Sequence, residues 1–240
     1  MDLAWAAAGG VAGLPAGTLL RGPVFAMSVR SGEPDRLVCQ NCGAPAPAWV
    51  ALSCTYCRSR FGTPAAMELM TAAVLAVLAA RFGAQPAIAA FILLGALGVA
   101  LAVIDAAVQR LPDRLTLPAY PALAVLLAIA SVVGHETGAL LRALLGGLAM
   151  AGGYLLLAML GSGQLGAGDI KLAGLVGLVL GWLGWRTLFI GACGGFVLAA
   201  AFGIPLLVAR RATMRSMISF GPYLLGGAML AVLISAPVGS

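Results

Sequence analysis

Eight apolar stretches, separated by short polar or glycine-rich intervals, run along the whole chain. They cover about residues 3–20, 64–81, 86–104, 117–133, 139–160, 170–185, 187–209 and 219–236. A helix that crosses a bilayer needs about 20 mainly apolar residues. Runs of this length with few internal charges therefore predict membrane-spanning helices and argue against strands or the one-sided helices of a soluble domain. One interval is long: residues 21–63 are the longest stretch that is not strongly apolar. The pattern predicts an all-α polytopic membrane protein with about eight transmembrane helices. It divides the chain into a first span (1–20), a loop (21–63) and a seven-span region (64–240).

Composition strengthens this picture. Of the 240 residues, 62% are apolar and 9% charged, against about 25% charged in a soluble domain. Mean hydropathy is +1.04. A soluble enzyme, a disordered chain and a coiled coil are all excluded. The N-terminus begins Met-Asp-Leu without a cationic stretch, so 3–20 reads as a retained span and not as a cleaved signal peptide.

The net charge of +6 comes from 13 arginines and one lysine, which sit mainly in short loops. Alternating the loops between two sides places 11 of them on one side and three, Arg81, Arg142 and Arg186, on the other. The positive-inside rule then puts the first side in the cytoplasm and the N-terminus outside. It also accounts for the charge without a nucleic-acid partner. Trp182 and Trp185 are expected to close the sixth span as interfacial anchors. Gly177-x-x-x-Gly181 and Gly191-x-x-x-Gly195 predict close helix packing.

The cytoplasmic loop carries Cys39-Gln-Asn-Cys42 and, after 11 residues, Cys54-Thr-Tyr-Cys57. Two such knuckles can place four thiolates around Zn²⁺, a closed and structural arrangement. Redox pairs are the alternative, disfavoured by the absence of a βαβ pattern. Gly43 suits the turn after the first knuckle. Cys193, inside an apolar run, is expected to be buried.

Only eight acidic residues exist. Asp2, Glu33, Asp35 and Glu136 fall in termini or loops and read as solvated. Glu68 follows Thr63-Pro64, an N-cap and N1 pair, so it is expected in the first turn of a helix, where it favours the dipole. A substrate or cofactor role is a second reading for it. Asp105 and Asp169 differ, because each stands at the cytoplasmic end of an apolar run, where an ionisable group is costly and points to function. Two intervening spans return the chain to the same face, so both carboxylates are expected at one depth. Two carboxylates in a partly desolvated site share a proton. One can then take a proton from water while the other polarises a carbonyl, which is aspartic peptidase chemistry. The glycines beside Asp169 are expected to let the backbone approach a substrate. The plain alternatives are a helix N-cap for Asp169 and a helix end paired with Arg110 for Asp105.

The stretch Ile104-Asp105-Ala-Ala-Val-Gln-Arg110-Leu111-Pro112-Asp113-Arg114-Leu115-Thr116-Leu117-Pro118 resembles the first aspartate motif of type IV prepilin peptidases. Gly166-Ala-Gly168-Asp169-Ile170-Lys171-Leu172 is similar to their second, the GxGD motif. The resemblance runs from about Cys39 to the C-terminus. It implies a bacterial inner-membrane enzyme whose catalytic pair is Asp105 and Asp169, acting at the cytoplasmic face on prepilins or pseudopilins. Such substrates carry a short basic leader, cut after a glycine and followed by a hydrophobic helix. Asp113, Lys171, Gly166 and Gly168 would be supporting residues, and the cysteine quartet matches that of the family. The resemblance also implies an N-methyltransferase using S-adenosylmethionine. Here the loop between the cysteine pairs is shorter than is usual in the family and lacks an Asn-Ile-Pro-type segment. The end of the first span, Gly17-Thr-Leu-Leu-Arg21, is only loosely similar. These departures fall in the region associated with methylation, so the peptidase is implied more firmly than the methyltransferase.

Two readings from other classes compete. A proton-coupled transporter would use Asp105, Asp169 and Lys171 as a relay, but it calls for polar groups at the midplane and matching halves. A scaffold whose zinc loop docks a partner leaves both aspartate motifs unexplained. Beyond substrate, the partner expected is membrane lipid, and nothing in the sequence selects an oligomeric state.

Overall fold

A computed structural model of the chain describes residues 2–30, 33–45, 53–61, 65–160, 166–208 and 219–235, with side chains of 206–208 excepted. Those residues form eight helices and no strand: α1 (Leu3–Met27), α2 (Ala66–Phe82), α3 (Ile88–Val108), α4 (Asp113–Gly134), α5 (Thr137–Leu160), α6 (Ala167–Leu183), α7 (Trp185–Val208) and α8 (Gly221–Ile234). Five of them, α1, α3, α4, α5 and Trp185–Pro205 of α7, are long and apolar enough to cross a membrane. The chain is thus an all-helical, multi-pass membrane protein. At 17, 17 and 14 residues, α2, α6 and α8 are shorter. Two compact units divide the chain, residues 1–110 and 111–240.

In the first unit, α1 lies along α2 on a stripe of small residues. A Cβ on Gly9 would stand 2.5 Å from the Leu75 carbonyl oxygen, and one on Gly17 would stand 2.6 Å from Glu68 Cα. Backbone therefore touches backbone, the contact that small residues permit where lipid supplies no hydrophobic drive. Asp2 is not merely solvated: its Oδ1 accepts from the Ala4 N–H at 3.0 Å and caps α1. The helix also runs seven residues past Leu20, the end expected from sequence. Arg21 does not terminate it, because its guanidinium is buried and neutralised by Glu68.

The second unit is organised around α6. Every residue of α6 from Leu172 to Trp182 is buried, and the helix packs chiefly on α5, with α4, α7 and α8 also against it. Gly177 and Gly181 make the close approach expected of them. Their Cβ atoms would fall 2.5 Å from the Gly146 carbonyl oxygen and 2.6 Å from that of Arg142, both on α5. Two expectations are corrected. Trp182 is 3% exposed and belongs to the helix core, leaving Trp185, at 49%, as the indole free to face an interface. Cys193 is exposed on α7, a placement its weakly polar thiol tolerates on a lipid-facing surface.

Candidate functional site

The cysteine loop builds a metal site from two copies of one small device. In the first, the Gly43 N–H donates to the Cys39 carbonyl at 2.9 Å and the Cys39 N–H to Ala44 at 2.9 Å. In the second, Arg58 donates to Cys54 and Cys54 to Ser59, again at 2.9 Å each. Each device is closed by one isolated bridge, Val38 with Pro45 and Ser53 with Arg60. The residue after the second cysteine has positive φ in both, +70° at Gly43 and +56° at Arg58. The repeat is visible only as Cys-x-x-Cys in the sequence, because the second copy puts arginine where the first has glycine.

The two knuckles bring all four cysteines together, with their sulfurs within 4.8 Å of one another. Cys39 to Cys57 and Cys42 to Cys54 are both 3.6 Å, close to the edge of about 3.8 Å that four sulfurs make when each lies 2.3 Å from a tetrahedral ion. Ser59, which sequence reasoning missed, hydrogen-bonds to Cys57 at 2.9 Å and Cys39 at 3.2 Å. These bonds hold both thiols below their usual range, Cys39 at about 6. The Ala44 backbone pulls Cys42 the same way, but desolvation and the neighbouring thiols outweigh it and push that group up to about 12. The quartet rests on the end of α1, where Phe25 stacks on Phe61 at 4.9 Å and joins Ala26, Cys39 and Cys54 in a small apolar core.

A cavity of about 440 Å³ opens beside this core, lined by Arg21, Arg36, Arg60, Phe25, Phe61 and Asn41 among others. Glu68 stands in the first turn of α2, as expected, and pairs with Arg21. The N-cap of α2 is Ala65, and Thr63-Pro64, expected to start the helix, lie outside the described residues.

Asp105 lies in the last turns of α3 and is 4% exposed. Arg110, the alternative partner expected for it, donates to the Arg30 carbonyl at 3.3 Å.

In the second unit Asp169 is 9% exposed in the first turn of α6. Gly166 is the N-cap, so Asp169 is the third residue of the helix and not its cap. Its Oδ2 accepts from the Gly166 N–H at 3.2 Å. The other residues of the GxGD motif meet the end of the first motif. Lys171 Nζ donates to Asp113 Oδ1 at 2.6 Å. A Cβ on Gly168 would lie 2.8 Å from Leu111 Cβ. That glycine is required by a side chain of this protein, where sequence reasoning assigned its room to a substrate. The Lys171 carbonyl accepts from the Tyr120 hydroxyl at 2.7 Å, a contact no motif signals.

The match to known proteins agrees with this geometry. Residues 91–236 fit the type IV leader peptidase family. The chain belongs to that family. It is 33% identical over 223 residues to the prepilin leader peptidase/N-methyltransferase of Burkholderia pseudomallei strain 1026b, covering 84% of this chain and 68% of that one. The enzyme of the same name from Aeromonas salmonicida strain A449 is 31% identical, with 82% and 71% covered. That of Bacillus subtilis strain 168 is 30% identical, with 75% and 70% covered. No solved structure matches this leader peptidase.

Proposed function

We propose that this leader peptidase removes the basic leader of prepilins or pseudopilins with Asp105 and Asp169 as its two catalytic carboxylates. The observation that carries the reading is that both acids, the only buried ones among the described residues, fall in the two motifs of a family that cleaves leaders. One carboxylate, ionised, accepts a proton from water while the other, protonated, donates a hydrogen bond to the scissile carbonyl. The hydroxide so generated attacks that carbon, and the leaving amine takes up a proton as the peptide bond breaks. Asp113 and Lys171 hold the first turn of α6 in register with the start of α4, and Gly166 anchors the Asp169 carboxylate. The family favours this chemistry over a transporter relay.

The cysteine quartet is read as a structural Zn²⁺ site, since four thiolates in a closed tetrahedral set suit that ion and leave no open position. Methylation of the new N-terminus is the second activity, supported by the names of the relatives, with S-adenosylmethionine as the methyl donor. The 440 Å³ cavity has room for such a ligand, but its charged lining is Arg21, Arg36 and Arg60, with no carboxylate to meet the donor's cationic groups. The proposed setting is the bacterial inner membrane, with eight spans, the N-terminus outside and the aspartates at the cytoplasmic face. The domain plan of a first span (1–20), a metal loop (21–63) and a peptidase region (64–240) belongs to the same proposal.

Mass spectrometry decides the activity. Purified protein incubated with a prepilin should shorten it by the leader, and a further methyl increment should appear when the donor is added. An unchanged substrate mass under conditions that keep the protein folded would refute the peptidase.

A further inference from the structure

The last turn of α1, the start of α2 and the last turns of α3 meet the cysteine loop around the cavity of about 440 Å³, giving it Phe25, Met67 and Val103. That volume lies within the range of about 300–1,000 Å³ usual for small-molecule sites. The charged lining is Arg21, Arg36 and Arg60. Glu33 and Asp35 are the only acids between residues 21 and 67, and neither they nor Glu68 line it. Arg21 is already neutralised by Glu68, whereas Arg36 and Arg60 form no ion pair among the described residues. The Arg36 guanidinium lies 5.6 Å over the Phe25 ring, which holds its charge beside the cavity. Cations gathered around one hollow with no acid between them repel one another until an anion enters.

The kind of cation narrows the anion. A guanidinium fork meets phosphate oxygens two at a time, which a compact ammonium does not, and all three cations here are arginine. Gln40 and Asn41 add neutral amide donors, while Phe25, Met67 and Val103 are apolar. The lining thus suits a molecule with a phosphate at one end and an apolar body at the other. Its level in the fold points the same way. With 25 residues, α1 is about 37 Å long, more than the roughly 30 Å of a hydrocarbon core. Its ends therefore reach the layer where phospholipid phosphates lie, and basic pockets between helix ends take anionic head groups. We propose that this cavity binds a phosphate group among Arg21, Arg36 and Arg60, with the apolar part of the same molecule against Phe25 and Met67. A phospholipid head group and a soluble phosphate ester share that chemistry. Arg21 belongs to α1 and Arg60 to the second knuckle, so the bound phosphate ties the cysteine loop to the end of α1.

The test is native mass spectrometry of the full chain in an uncharged detergent. Phosphatidylglycerol, phosphatidylcholine and inorganic phosphate are titrated separately. One equivalent of phosphatidylglycerol or of inorganic phosphate should be retained. Phosphatidylglycerol held at least about tenfold more tightly than inorganic phosphate assigns the site to a lipid head group, and a smaller difference assigns it to a soluble phosphate. In both cases Arg36→Gln and Arg60→Gln should each weaken the retained probe by about tenfold, the loss of a hydrogen bond between charged groups. Arg36→Lys, which keeps the charge, should weaken it less than Arg36→Gln. Arg186→Gln, at an exposed position on α7, should leave it within about twofold. Retention of neither anion overturns the proposal, and so does phosphatidylcholine retained as tightly as either. Unchanged affinity in a folded Arg36→Gln or Arg60→Gln protein overturns it as well. An equal loss in Arg186→Gln does the same, because the probe would then be following surface charge alone. Arg60 is exposed, so its variant decides if Arg36→Gln does not fold.

Discussion

The Tyr120 hydroxyl on α4 donates to the backbone carbonyl of Lys171 on α6 at 2.7 Å. That carbonyl lies two residues beyond Asp169. The same hydroxyl rests against Gly174 so closely that a Cβ there would collide with it. Tyr120 therefore fixes the first turn of the helix that carries an acid proposed as catalytic, from a position outside both sequence motifs. Tyr120→Phe should lose one hydrogen bond, worth about 1 kcal/mol, and slow leader cleavage several-fold while the protein still accumulates. Gly174→Ala should be worse, because it expels the ring. Cleavage rates and thermal unfolding followed by tryptophan fluorescence test the order.

Asp105→Asn and Asp169→Asn should each abolish cleavage with normal insertion, since an amide keeps the shape and cannot accept a proton from water. General acid–base assistance alone is worth about 10²–10⁴-fold. Asp113→Asn should be milder, because its ion pair with Lys171 is half exposed and such pairs contribute little. Full activity in either of the first two variants would contradict the proposed catalytic pair.

Removing the metal ligands should separate structure from chemistry. Cys39→Ser with Cys42→Ser should leave protein without zinc by elemental analysis and at a lower cellular level. The surviving protein should still cleave, because Asp169 is carried by α6 and Asp105 by α3, not by the loop. Ser59→Ala keeps all four ligands yet removes the hydroxyl shared by Cys39 and Cys57. Loss of such a supporting contact typically weakens metal affinity about 10–100-fold, which competition with a chromophoric chelator would report.

The twin knuckles make a paired prediction. Gly43 and Arg58 hold matching positive-φ positions, where a side chain costs about 1 kcal/mol. A Cβ at Gly43 would meet nothing within 4 Å, so Gly43→Ala should reveal the backbone cost alone and speed metal loss to chelator. Arg58→Gly should slow it. A result in which both variants lose metal faster would show that Arg58 has a role beyond its backbone.

Much of this was legible in the sequence because it is local. The two aspartate motifs, the Cys-x-x-Cys knuckles, the first-turn position of Glu68 and the small-residue packing of Gly177 and Gly181 each depend on neighbours a few positions away. What was not legible depends on partners far along the chain. The burial of Arg21 follows from a pairing with Glu68, 47 residues later, so a charge that looked like the end of a helix lies inside one. Trp182 and Trp185 have the same chemistry, and only the path of α6 decides which of them faces outward. Gly168 looked like room for a substrate until Leu111 was seen to fill that space. Tyr120 belongs to no pattern at all, because its role lies in a backbone carbonyl that any residue would supply.

The depth of α6 in its unit has a consequence for how this enzyme meets its membrane. A 17-residue helix is about 25 Å long, short of the roughly 30 Å of a hydrocarbon core. Helices that touch lipid answer such a mismatch by tilting or by thinning the bilayer around them. From Leu172 to Trp182, α6 is sheathed in protein and has no lipid to answer. Acyl chain length is felt by α4, α5 and α7, whose apolar side chains are exposed, while the helix that carries Asp169 takes its position from glycine contacts with α5. Cleavage should accordingly vary little between nanodiscs of shorter and longer lipids, even where unfolding temperature does.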